Sequence, residues 1–541
     1  MNDHNFLQWI WIFVEHQKVE LLNQIATANI VHTFCELGAF NVSRQTFTID
    51  SLIEQFRILP DYKTLISRWL MQLSAEGFLE QVEGAFINPA PFQDDGSQVF
   101  LHRAEMQLSD MPFVRDFVGR CGQMSSSILT GKLSPLETLF PGGSLETAEG
   151  LYEQWALSRY FNGIIRRVIG TLVEGTGRGQ QLRVIEVGAG TGGTTASLLP
   201  VLPSRGTKYF YTDLSKFFFS YAERKFSGYP FLHFGFLNIE KDPVDQGFGQ
   251  HAFDVVVAAN VLHATMNLDD TVRNVTTLLK PGGLLLLYEL TCPPAWMESS
   301  FGLIEGWHRF DDGLRRGSPL LSRQTWETVL RSNGFEEVTA FPEAGSPAEI
   351  LGAHVLLARV PTKSESLKWQ TPSVTFPELS KPEKNTDSLS RDETQEIPYR
   401  EILDTLRKVA PSERLDHLVE YVRLRVMRVL RRDDSDPIDR RHHLMDLGID
   451  SLMAVELRNL LNSELGLKRR LPATLIFDYP SVEAIANYLS SLIFTQEEGA
   501  VETLMNTPRE TGIIREAEMT IKDLSEEEVE KLLLKKLETL Q

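Results

Sequence analysis

Four short apolar runs, "RVIEVGA", "YFYTDL", "DVVVAAN" and "LLLLYEL", recur between residues 183 and 290, with helical segments between them. Runs this short and this continuously apolar suit strands buried on both faces, and regular alternation with helices predicts a doubly wound α/β sheet. "LLKPGG" reads as a helix stopped at Pro281-Gly282-Gly283 just before the last run. The α/β core is expected over residues 151–360. Residues 1–150 read as a helical, winged-helix-like lobe. "IATANIVHTFCELGAF" and "YKTLISRWLMQLSAEGFLEQ" have apolar residues at three- and four-residue steps, and "GFLEQVEGAFINP" reads as a hairpin. Residues 361–398, rich in Ser, Thr, Pro and charge, read as a mobile linker that spans roughly 35 Å r.m.s. as a coil. Residues 399–495 read as a separate small all-α, four-helix domain. In its helix "LDHLVEYVRLRVMRVL", Leu415, Leu418, Val419, Val422, Val426 and Val429 share one side. Residues 496–541 form a polar stretch ending in "DLSEEEVEKLLLKKLETLQ", where Ser525 and Glu528 fit a capping box. That helix either frays in solvent or folds against a partner.

Charge narrows the function. The chain of 541 residues has a net charge of −19, which argues against a general polyanion binder. A winged helix can bind DNA or serve as a lid or dimerisation module, and the acidic balance favours the second use, with no nucleic-acid partner. Cys35, Cys121 and Cys292 show no metal spacing and suit a reducing, cytoplasmic setting. The N-terminus is a poor signal peptide, and no apolar run is long enough to span a membrane.

"VIEVGAGTGGTTASLL" is strand, turn and helix. Gly188, Gly190 and Gly192 permit a tight turn and close approach of a ligand, and the helix behind them favours partial negative charge. Gly188, Gly190 and Gly193 also satisfy the dinucleotide pattern. Glu186 separates the two readings. A carboxylate there would repel a pyrophosphate, whereas the α-ammonium and sulfonium of S-adenosylmethionine would tolerate it. Asp213 closes the next strand, where an acid can accept from both hydroxyls of a ribose.

These segments, in order with "LETLFPGGSLETAEGLYEQW", "YTDLS", "LNIEKDP", "AANVLHAT", "LLKPGGLLLLYE" and "FGLIEGWHRFDD", resemble the C-methyltransferase domain of modular polyketide synthases. The resemblance implies a Rossmann-like class I fold with S-adenosylmethionine as cofactor, held by Glu186, the glycine turn, Asp213, Asn238 and Asn260. Asn238 stands where an aspartate is common, and His308 where a tryptophan is common. The second departure bears on the shape of an acyl pocket. No metal is implied.

His263 follows the strand "DVVVAAN", and Glu289 ends the neighbouring one. Ligands of open α/β sheets bind off the carboxyl ends of strands. A histidine there is either structural or a base, and the resemblance makes His263 the catalytic base and Glu289 its partner. The α-carbon of a β-ketothioester must lose a proton before it can be methylated. A neutral imidazole suits that task, and a carboxylate behind it fixes the tautomer. Tyr152 and Trp307 either pack the core or line the acyl pocket.

"DLGIDSLMAVELR" puts Ser451 at the start of a helix, and "ATLIFDYPSVEAIANYL" follows downstream. Both resemble acyl carrier proteins, which carry 4′-phosphopantetheine on this serine. Asp450 and Glu456 are expected to offer a partner enzyme polar handles. The implied partners are an acyl thioester on the carrier, a phosphopantetheinyl transferase, and other synthase subunits met through the C-terminal helix. Methylation of a malonyl group and an inactive scaffold that presents the carrier remain alternatives.

Overall fold

The computed structural model describes residues 3–93, 104, 106–175, 181–292, 294–304, 306–362, 406, 409–410, 413–432, 438–465, 471–472 and 475–505. The linker beyond residue 362 and the tail helix expected from Ser525 lie outside the described residues.

The N-terminal lobe begins with α1 (Asp3–Leu37). The periodic stretch noted in the sequence marks only its second half. β1 (Thr46–Phe47), α2 (Ile49–Phe56), α3 (Lys63–Ala75), β2 (Glu80–Val82), β3 (Ala85–Ile87) and α4 (Pro112–Leu129) follow. The expected hairpin is β2–β3, and β1 adds to it as a third antiparallel strand. One continuous core cluster joins this lobe to the sheet, from Ile12 and Phe34 to Val255 and Leu286. The lobe therefore packs as a wall of the core.

Past the lobe come α5 (Ala156–Gly175) and the sheet, built of β4 (Leu182–Val187), β5 (Thr207–Asp213), β6 (Leu232–Phe236), β7 (Phe253–Ala259), β8 (Leu279–Leu290), β9 (Glu337–Phe341) and β10 (Ala353–Arg359). The order is β6-β5-β4-β7-β8-β10-β9, parallel except for β10, which runs antiparallel to both its neighbours. This is the Rossmann-like methyltransferase arrangement. α6 (Gly193–Leu198), α7 (Phe217–Lys225), α8 (Leu268–Leu278) and α9 (Arg323–Ser332) flank the sheet. The helix expected to stop at Pro281-Gly282-Gly283 ends at Leu278, and β8 follows, with a break in its pairing to β7 where Gly282 has positive φ. Proline cannot continue the ladder of a helix, and here Lys280 already pairs with Asp254 at 2.6 Å, tying this stretch to β7.

The carrier has a separate core, with Leu418, Val422, Leu457, Leu461, Ile485 and Leu489 at its centre. Its helices are α10 (Arg414–Leu430), α11 (Ser451–Leu465), α12 (Leu475–Asp478) and α13 (Val482–Met505). The last helix continues past the expected end at 495. Ser481 caps it, its hydroxyl accepting from the Ala484 N–H at 3.2 Å.

Candidate active site

The turn after β4 opens a cavity of about 330 Å³ at the carboxyl ends of the strands. Gly188, Gly190 and Gly192 all have positive φ. A Cβ on Gly188 would sit 2.4 Å from the Val261 side chain, which therefore packs directly on the backbone of the turn. A Cβ on Gly190 would meet no protein atom closer than 4.0 Å, so it would project into space left for a ligand. Gly192 instead packs against Phe226 and Tyr211 and is absent from the cavity lining.

The two acids beside the turn are buried. Glu186 accepts from Tyr209 at 2.6 Å and from Thr195, bonds that tie β4 to β5 and to the first turn of α6. Burial pushes its carboxyl up to about 7. Asp213 accepts from the backbone N–H groups of Gly190 at 2.9 Å and Ser215 at 2.8 Å, and burial pushes it up to about 6. Asn238 lines the cavity, and its Oδ1 accepts from the Glu240 N–H at 3.0 Å. One of its two lone-pair directions is thus already committed. Asn260 has φ 51°, and its buried Oδ1 has no partner. An orphaned acceptor on a cavity wall suits a cationic or N–H-bearing ligand.

Beyond Asn260 the cavity leads to a smaller apolar one of about 70 Å³. Tyr152, Ser158, Asn260 and Tyr288 line both. Trp155, Trp296, Phe301, Trp307 and His263 close the second. His263 Nδ1 lies 2.6 Å from Glu289 Oε2, and Oε1 of the same carboxylate accepts from the N–H groups of Leu262 at 3.0 Å and His263 at 3.3 Å. Glu289 is wholly buried. Trp307 meets the imidazole edge-to-face at 5.7 Å and stacks on Phe301. Behind the histidine, the buried Arg315 donates to the His263 carbonyl at 2.7 Å while paired with Asp312 at 2.6 Å. His308 is not among the residues that line the apolar cavity. Both its ring nitrogens are buried without partners, and burial, with the nearby Arg68 charge, brings it down to about 4.

Comparison with known proteins places this geometry. Residues 185–285 match the family described as methyltransferase domain, and residues 420–489 the family described as phosphopantetheine attachment site. Polyketide synthase ThaG of Burkholderia thailandensis is 30% identical over 397 residues, covering 69% of this chain and 7% of that protein. The CurJ carbon methyltransferase is 34% identical with a TM-score of 0.61, over 63% of this chain and 92% of that structure. The DszA carbon methyltransferase is 30% identical with a TM-score of 0.60, over 66% of this chain and 94% of that structure. The chain belongs to the carbon methyltransferases of polyketide synthases. It spans only a small fraction of the curated synthases it matches.

The carbon methyltransferase and its carrier use S-adenosylmethionine and 4′-phosphopantetheine. The open space over Gly190, the unpartnered Asn260 oxygen and the two buried acids fit the first of these. The structure brings Glu186, Gly188, Gly190, Asp213, Asn238, Asn260 and Tyr152 to one cavity, and His263 and Trp307 to the adjoining one. Tyr152 sits in a π-helical turn, Gly150–Gln154. Sequence reasoning missed Tyr288 as a shared wall and Arg315 as the brace behind the methyltransferase's histidine. Strand alternation could have found the first, because Tyr288 and Glu289 face opposite sides of β8. On the carrier, Asp450 is the N-cap of α11, its Oδ1 accepting from the Met453 N–H at 2.8 Å, and Ser451 is the first helical residue. Asp450 thus caps its own helix with one carboxylate oxygen. Among the described residues no helix is long and apolar enough to cross a membrane, and no cluster of His, Cys, Asp or Glu could hold a metal ion.

Proposed function

We propose that this carbon methyltransferase acts on the α-carbon of a β-ketoacyl thioester held on the phosphopantetheine arm of Ser451. The observation that carries the reading is the position of the His263–Glu289 pair at the wall of an apolar cavity next to the donor cavity. Nδ1–H is held by the carboxylate, which leaves the Nε2 lone pair as the base. When His263 takes the α-proton, Glu289 stabilises the imidazolium without itself moving. Trp155, Trp296, Phe301 and Trp307 exclude water and hold the acyl group by its apolar surface. Glu186, Asp213, Asn238, Asn260 and the glycine turn would hold S-adenosylmethionine, which supplies a methyl group on a cationic sulfur. An intact buried base pair favours an active enzyme over a scaffold.

The chain's own carrier supplies the thioester after a phosphopantetheinyl transferase modifies Ser451, and the linker lets the arm reach the cavity. Tethering supplies an effective concentration of about millimolar, so weak intrinsic affinity suffices. The C-terminal segment from Ser525 would hand the product to another synthase subunit. Intact-mass analysis of the holo chain, loaded with β-ketoacyl or malonyl groups and given methyl donor, tests the reading. One or two added methyl masses on the β-ketoacyl form support it; addition to the malonyl form alone overturns it.

A further inference from the structure

The carrier rests on the methyltransferase through a small interface of matched charge. Arg458, on α11, reaches Glu137 at 2.5 Å, and both side chains are largely buried. Arg431, which ends α10, pairs with Glu223 at 3.5 Å, donates to the Ser220 hydroxyl and lies over the ring of Phe219. In the same interface, Leu452 packs on the methyltransferase core and Phe217 on the carrier core. Asn459 meets the backbone of Gly143 so closely that a Cβ there would lie 2.3 Å from its Nδ2.

The sign of the charges is informative. The carrier contributes both arginines and the enzyme both acids, in a chain that is strongly acidic overall. The Arg458–Glu137 pair is largely buried and the Arg431–Glu223 pair lies at the more exposed edge; complementary charges across a contact discriminate between partners more than they add raw affinity. The contacted elements are also walls of the donor cavity. Leu139 and Phe140 lie just after Glu137, and Phe218 lies on α7 with Glu223. Asp450, the residue before Ser451, is close enough to Asp213 to oppose its ionisation. The seated carrier therefore lies against elements that wall the cofactor site.

We propose that the Arg458–Glu137 and Arg431–Glu223 pairs, together with Leu452, form the docking surface by which the methyltransferase recognises the carrier of its own chain. This rests on the functional reading above and adds the determinant of carrier choice.

A charge swap in the full-length chain tests it. With the carrier loaded with a β-ketoacyl group, Arg458→Glu should slow single-turnover methylation about tenfold or more, because it sets two carboxylates against each other. Glu137→Arg alone should do the same, and the two together should restore most of the rate. Methylation of the free N-acetylcysteamine thioester should be unchanged in all three. Hydrogen exchange supplies a readout independent of turnover: protection over residues 137–143 and 451–459 should fall in each single variant and return in the double. Wild-type rates on the loaded carrier in both single variants, or no recovery in the double, would overturn the proposal. If Arg458→Glu unfolds the carrier, Glu137→Arg decides alone. A wild-type chain that methylates neither substrate sinks the functional reading instead, and the exchange data then judge the docking surface separately.

Discussion

His263 and Glu289 make two kinds of contact at once: the carboxylate takes the ring Nδ1 at 2.6 Å with one oxygen and the backbone N–H groups of Leu262 and His263 with the other. The same group that orients the imidazole thus also fixes the loop that carries it. Replacing the carboxylate by an amide keeps the shape but loses the negative charge opposite the imidazolium. Glu289→Gln should lower the methylation rate by about 10²–10⁴-fold, with S-adenosylmethionine affinity within about twofold of wild type. Single-turnover kinetics and calorimetry measure the two separately. An unchanged rate would remove Glu289 from the mechanism.

Donor binding should depend on pH. Burial raises Glu186 to about 7 and Asp213 to about 6, so both are partly protonated in the free enzyme near neutrality. A cationic donor favours their ionised forms. Affinity should therefore rise as pH increases from 5.5 to 8, and binding near pH 6.5 should release protons. Calorimetry in buffers of different ionisation enthalpy detects that release. By linkage, the same raised values favour the folded state below about 4, and this contribution is lost as pH rises from there through the folded values of about 6 and about 7. Pre-binding the donor should reverse that trend.

His308 is kept neutral at a site where neither ring nitrogen has a partner. Its value is depressed to about 4, so the unfolded chain takes up a proton that the folded one refuses. Stability from this residue is present above about 6.5 and is lost as pH falls towards 4. His308→Phe removes two unpaired buried nitrogens, each costing roughly 1–3 kcal/mol. The variant should melt higher at pH 5 than wild type, with a smaller gain at pH 8. Equal melting curves at pH 5 would contradict the assignment.

Ser451→Ala should abolish transfer of phosphopantetheine, seen as absence of the mass increment after treatment with a phosphopantetheinyl transferase. Because Ser451 is the first helical residue and Asp450 is the cap, the helix itself should survive. Methylation of a free thioester should persist. Loss of both activities would mean that the serine also supports the catalytic unit.

The legible parts of this protein were those with a local periodic signature. The strand runs reappear as β4, β5, β7 and β8, and the carrier helices follow their apolar stripes. Boundaries and local contacts were less legible. α8 ends at Leu278, a little before the expected stop at Pro281-Gly282-Gly283, because Leu279 already pairs with Phe253 of β7. The cap that Asp450 makes was hidden because a sequence does not show whether a short polar side chain turns back on its own helix.

The sequence by itself determined the order of elements, the glycine turn, the His263 and Glu289 strand ends and the carrier serine, because each depends on residues close together in the chain. Only the tertiary structure decided what those residues face. Residues 26 apart meet as a 2.6 Å histidine–carboxylate pair, Tyr152 and Tyr288 line both the larger and the smaller cavity, and Arg458 finds Glu137 across 321 positions. Such contacts are set by how layers pack against one another, and no local pattern encodes the distance between two layers.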